Sequence, residues 1–274
     1  MKTFDWNPNP ETQAHAIAYL HDPITEMPVH RTKRPCVVVL PGGAYRFCSM
    51  READPVAFEY FTAGFNVILI DSYSVGEMAK NYNPLCDVGH TIMQIREHAE
   101  EWGCDPNAIA VLGFSAGGHL AATSGTMWND PVLQEKLNAK NGENRPNGMI
   151  LCYPVIRADE LTHEESIRNV SGCEPGTDGY RFWAAQDHVD ETTCPAFIWH
   201  TVTDPGVPVE NSLAMMAALQ AHKISFECHL FPGGDHGMSV CTEESSPDWP
   251  EAAYNARWVD MSIQWLYRLF HYKK

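Results

Sequence analysis

Residues 109–120 read Ile-Ala-Val-Leu-Gly-Phe-Ser-Ala-Gly-Gly-His-Leu, and this stretch decides the fold. Ile109 to Leu112 is a short apolar run of strand type. It passes through Gly113-Phe114-Ser115-Ala116-Gly117-Gly118 into an Ala-rich helical stretch, His119 to Met127. A strand that turns sharply into a helix lifts the hydroxyl of the central serine out at the top of a sheet. The backbone is crowded at such a turn, so glycine is needed on both sides of the serine. With Gly near 7% and Ser similar, Gly-x-Ser-x-Gly arises by chance about 0.1 times in a chain this long. The motif gains its meaning from context, an apolar strand before it and a helix after it. Ser115 is therefore the candidate nucleophile.

Working outward, the same strand-loop-helix rhythm recurs. His15 to Leu20 alternates in size and reads as an early edge strand. Cys36 to Leu40 is a β-branched run that enters the tight loop Pro41-Gly42-Gly43. Asn66 to Ile70 is the next strand. Asp87 to Trp102 has helical periodicity through Val88, Ile92, Ile95 and Ala99 and stops at Gly103. Downstream, Met149–Tyr153, Phe197–His200 and Ser225–Phe231 read as strands. Asn211–His222 and Asn255–Phe270 read as helices. This alternation predicts an α/β fold, with a mostly parallel central sheet and helices on both faces. Between 157 and 193 the pattern weakens and Gly172, Pro175, Gly176 and Gly179 appear. That segment is expected as a lid-like insertion over the carboxyl edge of the sheet, within one domain spanning 1–274.

Composition bounds the partners. The 274 residues are 44% hydrophobic and 20% charged, values of an ordinary soluble globular chain. The formal net charge of −16 repels phosphate backbones and anionic lipids, so no nucleic acid and no membrane partner is expected. A neutral small-molecule substrate meets no such barrier. The N-terminal stretch has no signal or transit pattern and no run of about 18 apolar residues occurs, so the expected location is cytoplasmic. Nine cysteines lie scattered without a Cys-x-x-Cys pair and read as reduced, mostly buried small hydrophobes. No His pair has the His-Glu-x-x-His spacing, which disfavours a zinc hydrolase, and no metal or cofactor is expected. The sequence leaves the oligomeric state open.

A hydroxyl nucleophile needs a base, and the base needs an orienting acid. After a serine on such a turn, the acid and then the histidine follow in chain order. His236 lies in Gly233-Gly234-Asp235-His236-Gly237, just after the last predicted strand. Asp204 follows the strand Phe197–His200, in Thr203-Asp204-Pro205-Gly206. Asp-Pro-Gly is also turn chemistry, so Asp204 competes with a plain structural reading. Asp235 adjoins His236 but points apart from it, and Asp187 and Asp190 are weaker rivals. His200 and His119 read as hydrogen-bonded structural residues, and His90 as a helix-face residue. An acyl transfer also needs amide donors for an oxyanion. Ala116 N–H is one candidate, and the loop Gly42, Gly43 and Ala44 offers the other. Tyr45 and Arg46 follow at once as candidate pocket residues. From the insertion, His188 and His163 are candidate substrate contacts.

Taken together, Leu40-Pro41-Gly42-Gly43-Ala44-Tyr45, Gly113–Leu120, Trp199-His200-Thr201 to Asp204, and Gly234-Asp235-His236-Gly237 resemble bacterial acetyl esterases. These are α/β hydrolases related to acetylxylan esterases and hormone-sensitive-lipase-like enzymes. The resemblance runs from about Pro35 to the C-terminus. It implies an α/β-hydrolase fold, nucleophile Ser115, acid Asp204, base His236, and oxyanion amides in the Gly42–Ala44 loop and at Ala116. Many lipase-like relatives carry His where this chain has Pro41, which is closer to the sugar-acetyl branch. Val207-Pro208-Val209 and Asn211-Ser212-Leu213, common after the acid in that branch, are both present. The implied substrate is an acetylated sugar, such as a xylo-oligosaccharide. A carboxylesterase for aryl or alkyl esters and a peptidase or amidase of the same fold stay open. A non-catalytic binding protein would lack a member of the triad, and none is missing.

Overall fold

The computed structural model describes every residue except 28, 30, 141, 247, 248, 251 and 274. Eight strands form one sheet: β1 (Lys2–Trp6), β2 (His15–Leu20), β3 (Arg34–Leu40), β4 (Asn66–Ser72), β5 (Cys104–Phe114), β6 (Gly148–Cys152), β7 (Ala196–Thr201) and β8 (Phe226–Phe231). Their order is β1-β2-β4-β3-β5-β6-β7-β8. The pairs β1–β2 and β2–β4 are antiparallel, and the other five are parallel. The main helices are α1 (Asp54–Thr62), α2 (Asn83–Glu97), α3 (Ala116–Thr126), α4 (Pro131–Leu137), α5 (Glu164–Ser171), α6 (Glu210–Ala221) and α7 (Arg257–Leu269).

Strand alternation splits the core into two layers. In β3, Cys36, Val38 and Leu40 face one layer with side chains of α2, α3 and α6. Val37 and Val39 face the other, with Val56 and Tyr60 of α1 and Trp258, Ile263 and Leu266 of α7. Both faces of the central strands are thus covered, which is why they read as continuous apolar runs rather than as alternating ones.

Among the differences between the structure and the sequence reading, three concern β2, α2 and the insertion. β2 is not the edge, because β1 pairs outside it. β1 escapes a sequence reading because Lys2, Thr3 and Asp5 are exposed and dilute its apolar signal. α2 begins at Asn83, ahead of the expected Asp87, with Pro84 in its first turn. The third difference concerns the insertion. It forms α5 and two shorter turns, Asp178–Arg181 and Ala185–His188. Its Ile167, Val170, Tyr180, Trp183 and Val189 join the same core layer as α2 and α3.

Because β3, β5, β7 and β8 run parallel, their carboxyl ends share one edge. The loop after β3, Ser115 after β5, Asp204 after β7 and His236 after β8 all leave from that edge. Open α/β sheets place their ligand sites there.

Candidate active site

Ser115 stands between the end of β5 and the first residue of α3, with φ 53° and ψ −116°. A non-glycine residue held there stores about 1–3 kcal/mol of backbone strain. The surroundings fix it. Ser115 N–H donates to the Cys152 carbonyl at 3.0 Å, and its own carbonyl accepts from His119 N–H at 3.0 Å and Val155 N–H at 3.1 Å. A Cβ on Gly113 would collide with the Gly117 carbonyl, and one on Gly117 with the carbonyls of Leu40 and Pro41. The flanking glycines are thus required by close backbone approach.

His236 reaches back from the loop after β8. Its Nε2 lies 2.8 Å from Ser115 Oγ, and its Nδ1 lies 2.8 Å from Asp204 Oδ2. Gly206 leaves space for the ring, since a Cβ there would come within 2.8 Å of His236 Cγ. Asp204 is engaged on both sides, by its own turn and by the imidazole. Its Oδ1 accepts from Gly206 N–H at 2.8 Å and Val207 N–H at 2.9 Å, the bonds of a turn. Its Oδ2 faces the imidazole. Burial favours the neutral carboxyl, but hydrogen bonds from His200, His236 and Val207 and the charge of His236 outweigh it. The Asp204 pKa therefore lies below the usual carboxylate value. The three rivals point elsewhere: Asp235 accepts from the His236 backbone N–H at 2.8 Å, Asp190 from Thr192, and Asp187 from Gln186.

The loop after β3 is held by its carbonyls. Pro41 O accepts from Tyr73 Oη at 2.8 Å, Gly42 O from Ser49 N–H at 2.9 Å, and Gly43 O from Arg46 N–H at 2.9 Å. Ala44 O accepts from Asn169 Nδ2 of α5 at 2.8 Å, and Tyr45 O from Gly76 N–H at 2.7 Å. With the carbonyls engaged, Ala44 and Tyr45 are kept at φ 57° and 56°. Among the described residues, the amides of Gly43, Ala44 and Ala116 meet no acceptor. The Gly42 amide does, donating to Glu52 Oε2 at 2.7 Å. Gly42 is thus corrected from amide donor to spacer: a Cβ there would stand 3.1 Å from Ser115 Cβ.

A pocket of about 210 Å³ opens over Ser115, walled by the Gly43–Ala44 turn, Arg46, Arg51, His163 and His236, among others. Arg46 and Glu165 pair across its mouth at 3.1 Å, joining the loop to the insertion. Two further sequence expectations are corrected. Tyr45 is fully buried, because its positive φ turns the ring inward, where Oη bonds His119 Nδ1 at 2.8 Å. His188 lines a different depression, beside Asp130 and Asp190, with its Nε2 on the Phe182 carbonyl at 2.6 Å. His163 is the insertion histidine that reaches the pocket. Its Nδ1 meets Ser166 Oγ at 2.9 Å; burial, then the charge of His236, lowers its pKa. Arg51 and Glu52 carry no signal in the sequence, because a one-turn 3₁₀ helix at Met50–Glu52 brings them in. Among the described residues, no three His, Cys, Asp or Glu side chains are placed to hold a metal ion. No helix among them is long and apolar enough to cross a membrane.

Residues 24–219 match the BD-FAE family model. The chain belongs to the BD-FAE family. The match takes in Ser115 and Asp204 and stops short of His236. Among solved structures, this BD-FAE chain is similar to the acetyl ester-xyloside bifunctional hydrolase of Caldicellulosiruptor lactoaceticus. The two are 32% identical with a TM-score of 0.80, over 97% of this chain and 92% of that one. The α/β-hydrolase fold and the acetyl esterase resemblance read from the sequence therefore stand. Among curated proteins, it is 32% identical to endo-1,4-beta-xylanase B of Butyrivibrio fibrisolvens, over 87% of this chain and 37% of that protein. It is 30% identical to an acetylxylan esterase of Xylanibacter ruminicola, over 88% of this chain and 47% of that protein. This BD-FAE chain thus spans less than half the length of these two curated relatives.

Proposed function

We propose that this protein is a serine carboxylic-ester hydrolase that removes acetyl groups from xylo-oligosaccharides or related sugars. One observation carries the reading: Ser115 Oγ, His236 and Asp204 form a continuous chain of two 2.8 Å contacts beside amides that meet no acceptor among the described residues. In the proposed reaction His236 Nε2 takes the Ser115 proton as Oγ attacks the ester carbonyl. The amides of Gly43, Ala44 and Ala116 receive the oxyanion. His236 returns the proton to the leaving alcohol oxygen, and the acetyl group stays on Ser115. Water, deprotonated by His236, then attacks the acyl-enzyme and releases acetate. Asp204, held ionised, keeps Nδ1–H in place and stabilises the imidazolium between steps.

The sugar part rests on the pocket and on the relatives. Arg46, Arg51, Ser49, His163 and Glu165 offer polar groups suited to hydroxyls. A long acyl chain lying against them would desolvate charges without repaying the cost. One of the relatives is an acetylxylan esterase and another is a xylanase. Nine free cysteines fit a reducing, cytoplasmic setting and hence soluble oligosaccharide as substrate.

The test is acetate release from acetylated xylo-oligosaccharides, compared with hydrolysis of long-chain nitrophenyl esters and aminoacyl amides. Ser115→Ala should lower kcat by at least ~10⁴-fold while the protein stays folded. Full activity in that variant overturns the nucleophile. A preference for long acyl chains or amides overturns the substrate.

A further inference from the structure

Glu52 is a carboxylate that the reaction above leaves unused, and it is only 2% exposed. It closes the 3₁₀ turn Met50–Glu52 beneath the pocket. Oε2 accepts from Gly42 N–H at 2.7 Å, and Oε1 accepts from Tyr153 Oη at 2.6 Å. The Tyr153 oxygen accepts in turn from Ser239 N–H at 2.9 Å. The Tyr153 ring stands edge-on to His236, 5.1 Å between centroids. One buried carboxylate therefore ties together the loop after β3, the end of β6 and the loop that carries His236.

We propose that Glu52 is a positioning residue for acyl transfer: it fixes the oxyanion loop through Gly42 and the His236 loop through Tyr153, in register with Ser115. The proposal rests on the reading of Ser115 as nucleophile. Its physical basis is the loop itself. Ala44 and Tyr45 are held in left-handed conformations that an unanchored loop would leave. Gly42 N–H is the loop amide bound on the side away from the substrate. Fixing its peptide plane lets the following two amides aim at one point. Burial raises the Glu52 pKa above the usual carboxyl value, and the Tyr153 and Gly42 hydrogen bonds and the His236 charge offset it only in part. A buried carboxylate without a contacting cation is a costly way to fill space. Both of its oxygens meet donors, as an ionised group requires.

The oxyanion develops in the transition state and tetrahedral intermediate and is absent from the bound ester, so misaligned amides should lower kcat and leave KM nearly unchanged. Glu52→Gln keeps the volume but gives up one acceptor oxygen. On 4-nitrophenyl acetate it should lose roughly 10²-fold in kcat/KM, with KM within about threefold of wild type. Phosphonylation of Ser115 by a 4-nitrophenyl phosphonate, which also builds negative charge at the oxyanion site, should slow by a similar factor. Glu52→Asp, which restores the charge one methylene short, should recover part of the loss. Wild-type rates in folded Glu52→Gln overturn the proposal. A loss confined to KM, or to melting temperature with unchanged kcat, also overturns it. Should Glu52→Gln not fold, amide exchange in the wild type decides. Gly42 N–H should exchange far more slowly than Gly43 and Ala44 N–H, and equal fast exchange overturns the anchor. Ser115→Ala assayed alongside separates the two readings. Activity retained there sinks the nucleophile assignment, whereas its loss beside wild-type rates in Glu52→Gln sinks the role of Glu52 alone.

Discussion

His200 Nε2 lies 3.4 Å from Asp204 Oδ2, the same oxygen that His236 Nδ1 approaches at 2.8 Å. His200 is itself fixed, with Nδ1 on Ser212 Oγ at 2.8 Å and Nε2 donating to the Val207 carbonyl at 2.9 Å. Asp204 is therefore crowded by donors, and its pKa is lowered despite burial. Asp204→Asn should keep the turn bonds from Gly206 and Val207 but present an NH₂ to His236. The imidazole would then carry its proton on Nε2, facing Ser115, and could not act as the proposed base. The expected drop in kcat is about 10⁴-fold. Stability supplies a second readout. A carboxylate with a lowered folded pKa stabilises the fold above its unfolded pKa of about 3.9, and that contribution is lost as pH falls. Wild type should therefore be more stable than Asp204→Asn at neutral pH, and the gap in melting temperature should shrink below about pH 4. A gap independent of pH would contradict the assignment.

The strain at Ser115 predicts a trade between stability and activity. At φ 53° and ψ −116°, alanine is as uncomfortable as serine, whereas glycine is at ease. Ser115→Gly should be inactive yet more stable than Ser115→Ala by about 1 kcal/mol, since relieved strain exceeds the added chain entropy. Thermal or urea unfolding of the two variants measures it. Equal stabilities would mean that the elbow stores no strain.

How much of this was readable beforehand depends on the range of each interaction. The elbow is local chemistry: Gly113, Ser115 and Gly117 carry their own signal, because backbone crowding within five residues dictates it. Asp204 and His236 were reachable through chain order and their places after strands. Arg51 and Glu52 were not, since their neighbourhood with Ser115 is made by packing between segments far apart in the chain. Tyr45 misled for a related reason. Adjacency to the Gly42-Gly43 pair suggests the pocket, but two successive positive φ values rotate its ring into the core. The insertion reads as polar and irregular, yet Trp183 and Val189 lie inside the core. Their burial, with the His119 Nε2 contact to the Trp183 carbonyl at 2.8 Å, fixes the insertion to α3.

The placements of Tyr45 and Arg46 predict opposite kinetic signatures for neighbours in sequence. Tyr45→Phe removes the hydroxyl that meets His119 Nδ1 and leaves a buried acceptor unpaired, a cost of about 1–3 kcal/mol. Its KM should stay near wild type. Arg46 is exposed at the mouth of the pocket and pairs with Glu165 there. Arg46→Ala should barely move the melting temperature, within about 0.5 kcal/mol, and should raise KM for the sugar ester several-fold. Thermal unfolding with Michaelis–Menten analysis separates the two. A raised KM in Tyr45→Phe without loss of stability would restore Tyr45 to the pocket.

His119 predicts where the fold fails on acidification. The ring is fully buried, one turn into α3, between Tyr45 Oη and the Trp183 carbonyl, each at 2.8 Å. A carbonyl only accepts, so Nε2 carries the proton and Nδ1 takes the tyrosine hydroxyl's. A second ring proton would meet that hydroxyl head-on. Burial, only partly offset by the bond to Trp183, lowers the His119 pKa from 6.5 to about 4. In the unfolded chain the same ring protonates near 6.5. The stabilising difference is therefore complete above that value and is lost as pH falls from 6.5 towards 4. The shift from 6.5 to about 4 corresponds to an order-of-magnitude effect of about 3 kcal/mol. Wild type should lose stability across this window more steeply than His119→Gln, which can still donate to Trp183 and accept from Tyr45 but cannot titrate. Urea unfolding at successive pH values from about 7 to 4 tests this, and parallel curves for the two proteins would show that His119 titrates freely.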